Sequence, residues 1–235
     1  EGLIEELGGV ESGFRIICPD FPGYGDSPEP GPDFDFLHAC VSGLWEAFFD
    51  EVGLDQPATV VIHDFGGTWL MPWVVDQPER VGVLVILNSA PHPDFQWHSW
   101  AKVWQTPVLG EIAMALSVRT LFRNEMRKGD PALPEGYPDH CFEVTTPASK
   151  RTALRTYRAH KDQRSTMAAC WEGVEAVLAD VPKRVVWGDL DPYIPAEFAD
   201  VWGCEVTHLP DVGHWVYVSR PEVVADAIRE LEPAG

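Results

Sequence analysis

Apolar residues along this chain follow two periods. Short, nearly continuous apolar runs at residues 13–18, 58–62, 81–87, 183–187 and 204–209 predict strands buried on both faces. Between them lie stretches with the three-to-four-residue period of a helix. Residues 35–52 repeat Leu37, Val41, Leu44, Phe48 and Val52 at that spacing, and Gly53 is a plausible stop. Residues 66–77 and 222–231 also read as helices, the second opened by Pro221 at a favoured first-turn position. Residues 21–27, Phe-Pro-Gly-Tyr-Gly-Asp-Ser, form a loop on their glycine and proline content. Strands alternating with helices predict an α/β fold: a mainly parallel sheet with helices on both faces.

The alternation stops between residues 88 and 180. This segment holds Trp97, Trp100 and Trp104, helical stretches at 108–114 and 150–160, and breaks at Pro131, Pro134 and Pro138. It reads as a helical cap inserted over the carboxyl ends of the strands, the edge at which open α/β sheets bind ligands. The expected division is a core of residues 1–88 and 181–235 with a cap of residues 89–180.

Composition narrows the partners. A chain of 235 residues with 45% hydrophobic content can bury the core of one α/β domain with an insertion. The formal charge of −20 opposes binding to a phosphate backbone, so no nucleic-acid partner is expected. The longest apolar run, 81–87, is far short of a membrane span. The five cysteines, Cys18, Cys40, Cys141, Cys170 and Cys204, are scattered and form no Cys-x-x-Cys, so neither a zinc site nor a redox pair is suggested. Buried free thiols in a reducing, cytoplasmic setting are the expectation, with no metal or cofactor.

Chemistry concentrates after three of the strands. Residues 59–67 read Thr-Val-Val-Ile-His-Asp-Phe-Gly-Gly, so Asp64 stands at a strand-to-helix turn. Such a turn exposes one side chain at the top of the sheet, although an Asp there is often only a helix N-cap. Residues 186–195 place Asp189 and Asp191 past the fourth strand, and residues 209–215 place His214 past the fifth. Nucleophile, acid, histidine is the chain order of the α/β-hydrolase fold. A serine in the first place suggests acyl transfer; a carboxylate suggests attack on an electrophilic saturated carbon.

With residues 20–27, 63–67, 188–191 and 213–215, the chain resembles the α/β-hydrolase-fold enzymes of the haloalkane dehalogenase and epoxide hydrolase group. The likeness covers essentially the whole length. It implies that Asp64 attacks carbon to form an alkyl ester, that His214 activates water to hydrolyse the ester, and that Asp191 orients His214. The group's Gly-x-x-Asp pattern points to Asp191 rather than Asp189. The Phe65 backbone N–H is one oxyanion donor. The implied partners are a small apolar or neutral organic substrate and water.

The leaving group divides the resemblance. Haloalkane dehalogenases usually carry Trp after the nucleophile, whose indole N–H holds the halide; Phe65 has none. Trp97, Trp100 or Trp104 could compensate, and core packing is the commoner role for such residues. Epoxide hydrolases use cap tyrosines. Tyr157, followed by Arg158, resembles one of them, and Tyr137 is the other tyrosine of the segment. Ile62 and Asn88 resemble the dehalogenases, so a dehalogenase-like activity is the first expectation. An epoxide hydrolase is the alternative, and a non-catalytic binder of a small ligand is a third. Haloacetate chemistry is disfavoured, because those enzymes place Arg after the nucleophile.

The group also has three strands before residues 13–18, and a His-Gly loop that supplies a second donor. Neither is found here. The resemblance implies that amino-terminal strands are missing, and that the sheet has a gap between residues 13–18 and 58–62 or pairs them directly.

Overall fold

The computed structural model describes residues 2–11 and 13–231. In chain order the elements are α1 (Gly2–Glu6), α2 (His38–Glu51), β1 (Ala58–His63), α3 (Phe65–Asp76) and β2 (Val81–Leu87). Helices α4 (Ser99–Gln105), α5 (Leu109–Leu116), α6 (Arg119–Gly129), α7 (Tyr137–Val144), α8 (Pro147–Ala159) and α9 (Gln163–Leu178) follow without an intervening strand. The chain then returns to β3 (Lys183–Gly188), β4 (Val206–Leu209), α10 (Val216–Ser219) and α11 (Pro221–Leu231).

The strands form one parallel sheet in the order β1-β2-β3-β4. Because all four run the same way, the residues after each strand emerge at one edge. That geometry gathers Asp64, Asn88, Asp191 and His214 from positions 150 residues apart. Alternate side chains of β2 serve opposite layers. Leu84 and Ile86 pack with Met71, Trp73 and Val74 of α3 and with Trp171 and Val174 of α9. Val83, Val85 and Leu87 pack with Val224, Ala225 and Ile228 of α11. Each fully buried aliphatic side chain here contributes about 1.5–3 kcal/mol.

The first expected strand is not one. Residues 13–18 carry no strand hydrogen bonding, and Phe14 is 39% exposed. They do not pair with β1. A groove of about 730 Å³ lies there, bordered by Ile16, Cys18, Val61, His63 and Tyr217. The physical reason is the pairing rule: an apolar run becomes a strand only against a partner edge within about 5 Å. Val60 and Ile62 of β1 are buried under α3, whereas Val61 points the other way into the groove and is 39% exposed.

Cys18 is exposed and Cys141 and Cys204 are half-buried, so the expectation of buried thiols fails for these three. The side chains of Cys40 and Cys170 lie outside the described residues. No helix among the described residues is long and apolar enough to cross a membrane.

Candidate active site

Asp64 has φ 48° and ψ −122°, a conformation that costs a non-glycine residue about 1–3 kcal/mol. Its surroundings hold it there. The Asp64 N–H donates to the Asn88 carbonyl at 3.2 Å, and Ser89 Oγ donates to the Asp64 carbonyl at 2.7 Å. A side chain at Gly67 would put its Cβ 2.2 Å from Ser89 Oγ, so α3 can start this close to β2 only with glycine there. Gly66 meets no such obstacle. Asp64 makes no side-chain capping bond to α3, so its carboxylate is not spent as an N-cap. It accepts instead from the Phe65 N–H.

His214 joins this carboxylate to a second one. Its Nε2 is 3.9 Å from Asp64 Oδ2, and its Nδ1 is 2.7 Å from Asp191 Oδ2. Asp191 is saturated with donors: Asn88 Nδ2 at 2.8 Å, the Tyr193 N–H at 2.7 Å and the Ile194 N–H at 3.1 Å. Asp189 points elsewhere, to His208 at 2.7 Å. Burial opposes charge on both partners, yet the pair outweighs it. Asp191 is held below the usual carboxylate range by the His214 charge and these donors, and His214 is raised above its ordinary value by Asp191 and Asp64. Asp64 is pushed up, first by burial and then by Asp191, with His214 and the Phe65 N–H pulling down. It lies deep in the molecule, borders a cavity, and keeps 40% of its side-chain surface accessible.

That cavity, about 20 Å³, is walled by Phe65, Phe95, Trp97, His98, Tyr157 and Tyr193 over Asp64. Of the tryptophans singled out in the sequence, Trp97 borders it, but its indole N–H already donates to the His160 carbonyl at 3.0 Å. Trp100 is 39% exposed and stacks on Trp104. Trp104 backs Tyr157 at 4.9 Å without reaching the cavity. Tyr157 does border it, meets the Phe65 ring at 5.1 Å, and its Oη has no hydrogen-bond partner among the described residues. Burial, reinforced by Asp64, raises Tyr157 well above the usual phenol, so it keeps its proton. Tyr137 instead lies beside Tyr217 and Cys141 and does not border the cavity.

Four residues at the site escaped the sequence. His63 donates from Nε2 to the His214 carbonyl at 2.9 Å, and burial with the His214 charge lowers it to about 3, so its ring is neutral. His98 accepts the Ala101 N–H at Nδ1, 3.3 Å away, and is lowered to about 4 by burial and His214. Its one ring proton is therefore on Nε2. Tyr193 packs 5.2 Å from the His214 ring, and Tyr24 feels the Asp64 charge from residues 21–27. His63, Tyr24 and Tyr193 stand within segments marked in the sequence, at residues 63–67, 20–27 and 186–195, whereas His98 arrives through long-range packing.

The chain belongs to the alpha/beta hydrolase family, whose profile matches residues 3–227. It is 22% identical to mouse epoxide hydrolase 4 over 93% of this chain, and spans 66% of that protein's length. It is 26% identical to haloalkane dehalogenase 2 of Mycobacterium tuberculosis, over 92% of this chain and 78% of the relative. Among solved structures, Cfl2 of Burkholderia cenocepacia superposes with a TM-score of 0.78 at 19% identity, covering 97% of this chain and 82% of that one. The chain is thus an alpha/beta hydrolase-family protein related to both epoxide hydrolases and haloalkane dehalogenases.

Proposed function

We propose that this chain opens epoxides by nucleophilic attack of Asp64 and hydrolyses the resulting ester with His214. The carrying observation is the Asp64–His214–Asp191 arrangement at 3.9 and 2.7 Å, at the floor of a cavity whose free side-chain donors include the Tyr157 phenol. On this reading residues 89–180 are the cap, over a core of 1–88 and 181–235.

In the first step Asp64 Oδ bonds to an epoxide carbon. The bond from that carbon to the ring oxygen breaks, and the oxygen takes the Tyr157 proton. The long His214 Nε2–Asp64 distance leaves the carboxylate free to attack. In the second step His214 takes a proton from water, and the hydroxide adds to the ester carbonyl. The Phe65 N–H stabilises the oxyanion. Collapse releases the diol oxygen, which is protonated by His214. The new carboxyl group returns a proton to Tyr157 as it ionises. Asp191 stabilises the imidazolium and fixes its orientation. His98, with its proton on Nε2, also borders the cavity.

The cavity suits an oxygen leaving group better than a halide. The Tyr157 phenol can protonate a leaving oxygen, whereas the one tryptophan that borders the cavity has its N–H occupied by the His160 carbonyl. The decisive experiment replaces His214 with Phe, which removes the base and strands the ester. Incubation with 1,2-epoxybutane is expected to add 72 Da to Asp64, about the mass of one epoxide. An adduct with 1-bromobutane alone would make the protein a dehalogenase. No adduct with either would leave a binding protein.

A further inference from the structure

Resting on that reaction, we infer that Asp130, in the inserted helical segment, is a positioning residue: its buried carboxylate is a further negative charge behind His214 that holds the imidazolium during ester hydrolysis. Asp130 is fully buried, yet neither step of the reaction engages it. Its Oδ2 accepts from Ser219 Oγ at 2.7 Å, and its Oδ1 accepts the Ala132 N–H at 2.9 Å. Two accepting oxygens are the pattern of a carboxylate rather than of a carboxylic acid. Neutral donors disperse such a charge without cancelling it. Among the described residues Asp130 has no ion-pair partner, and the cations nearest in sequence are held elsewhere. Arg127 donates to the Leu133 and Pro134 carbonyls, and Arg220 pairs with Asp211. A buried charge without a counterion is costly, so the fold gains when a cation forms nearby.

His214 is the cation that can form there. Its N–H donates to the carbonyl of Gly129, the residue before Asp130, at 3.0 Å. A Cβ on Gly213, the residue before His214, would lie 2.6 Å from the Asp130 Cα. The two backbones cross with no room for a side chain, which fixes how far the two charges stand apart. Burial opposes charge on His214, and Asp191, Asp64 and Asp130 offset it. The other titratable groups around the ring carry no charge. His63 and His98 are neutral, and burial keeps Tyr193 and Tyr217 protonated. Chemistry makes the extra acid matter most in the second step. Once Asp64 is esterified, its negative charge is gone, and only then must His214 take a proton from water. Of the three acids, Asp191 and Asp130 alone remain to hold the imidazolium.

Asp130→Asn keeps the size of the side chain and an oxygen for Ser219, and removes the charge. The test follows the His214 Cε1–H resonance by NMR against pH in protein without substrate, the signal being assigned by its absence from His214→Phe. In Asp130→Asn its midpoint is expected to fall by about 0.5–1 pH, the effect of one opposite charge at a residue's distance. The acid limb of ester hydrolysis should move down with it. Ser219→Ala, which loosens the same packing and leaves the charge, should move the midpoint far less. In the unaltered protein, which needs no variant to fold, the Asp130 Cγ shift should be that of a carboxylate at neutral pH and should respond as His214 titrates. An unmoved midpoint in Asp130→Asn, an equal shift in Ser219→Ala, or a protonated Asp130 at neutral pH would overturn the inference. A lowered midpoint in a protein that forms no ester with an epoxide would keep the charge link and defeat the epoxide reading alone.

Discussion

Tyr157 concentrates the question of mechanism in one oxygen atom. Its ring is fixed by Phe65, Trp97 and Trp104, and the residue borders the cavity over Asp64. Tyr157→Phe keeps every ring contact and removes only the proton donor. The rate of ring opening is expected to fall by about 10²–10⁴, the range typical of a lost general acid, with the urea midpoint unchanged. A loss below threefold in single-turnover kinetics would give the proton to another group, His98 first. At this scale the sequence was informative where chemistry follows a strand. Asp64, Asp191 and His214 stand at strand ends, and the parallel sheet carries them to one edge. It was uninformative about Trp97, because an indole in sequence does not reveal that the His160 carbonyl occupies its N–H.

Elements are held at the site by close backbone crossings. A Cβ on Gly213 would lie 2.0 Å from the Gly129 carbonyl, at the end of α6, and one on Gly188 would lie 1.9 Å from the Gly213 carbonyl. The His214 N–H donates to that same Gly129 carbonyl at 3.0 Å, so the inserted helical segment helps to position the histidine. Asp130, next in the chain, is fully buried and accepts from Ser219 Oγ at 2.7 Å. Helix α8, which carries Tyr157, is tied down separately: Arg155 donates to the Pro30 carbonyl at 2.7 Å, and Arg151 pairs with Glu29. Gly213→Ala must displace backbone on either side. It is expected to cost about 1–3 kcal/mol in chemical denaturation and to slow ester hydrolysis more than ester formation. Equal slowing of both steps, read from the fraction of alkylated enzyme in steady state, would remove the link between this crossing and His214.

For the whole molecule, buried neutral histidines set a pH limit. His63 and His98 have pKa values of about 3 and about 4 in the fold, against an ordinary 6.5. As pH falls below 6.5 the unfolded chain takes up these protons first. The stability they represent is complete above about 6.5 and drains away toward pH 3–4. His214 works the other way: its raised value adds stability below 6.5 that is lost as pH rises through it. His160, also lowered by burial, acts in the same sense as His63 and His98, so the urea midpoint is expected to fall between pH 7.5 and pH 5, with His63 alone worth about 2 kcal/mol over that range. His63→Gln, which can still donate to the His214 carbonyl, should flatten the fall. A midpoint unchanged over that range would mean that the imidazoles are hydrated or charged in the fold.

The sequence by itself determined the alternation of strands and helices, the place of the inserted segment, and the order of acid, acid and histidine. These follow from burial along one element, which repeats at 2 or 3.6 residues and leaves a local record. Tertiary structure alone decided that residues 13–18 make no strand, that the His160 carbonyl occupies the Trp97 N–H, and that Tyr193 and His98 rather than Tyr137 reach the cavity. Each of these depends on which surfaces and polar atoms meet across long stretches of chain. A pairing edge, a hydrogen-bond partner or a cavity wall exists only once distant elements pack together, and no local period records it.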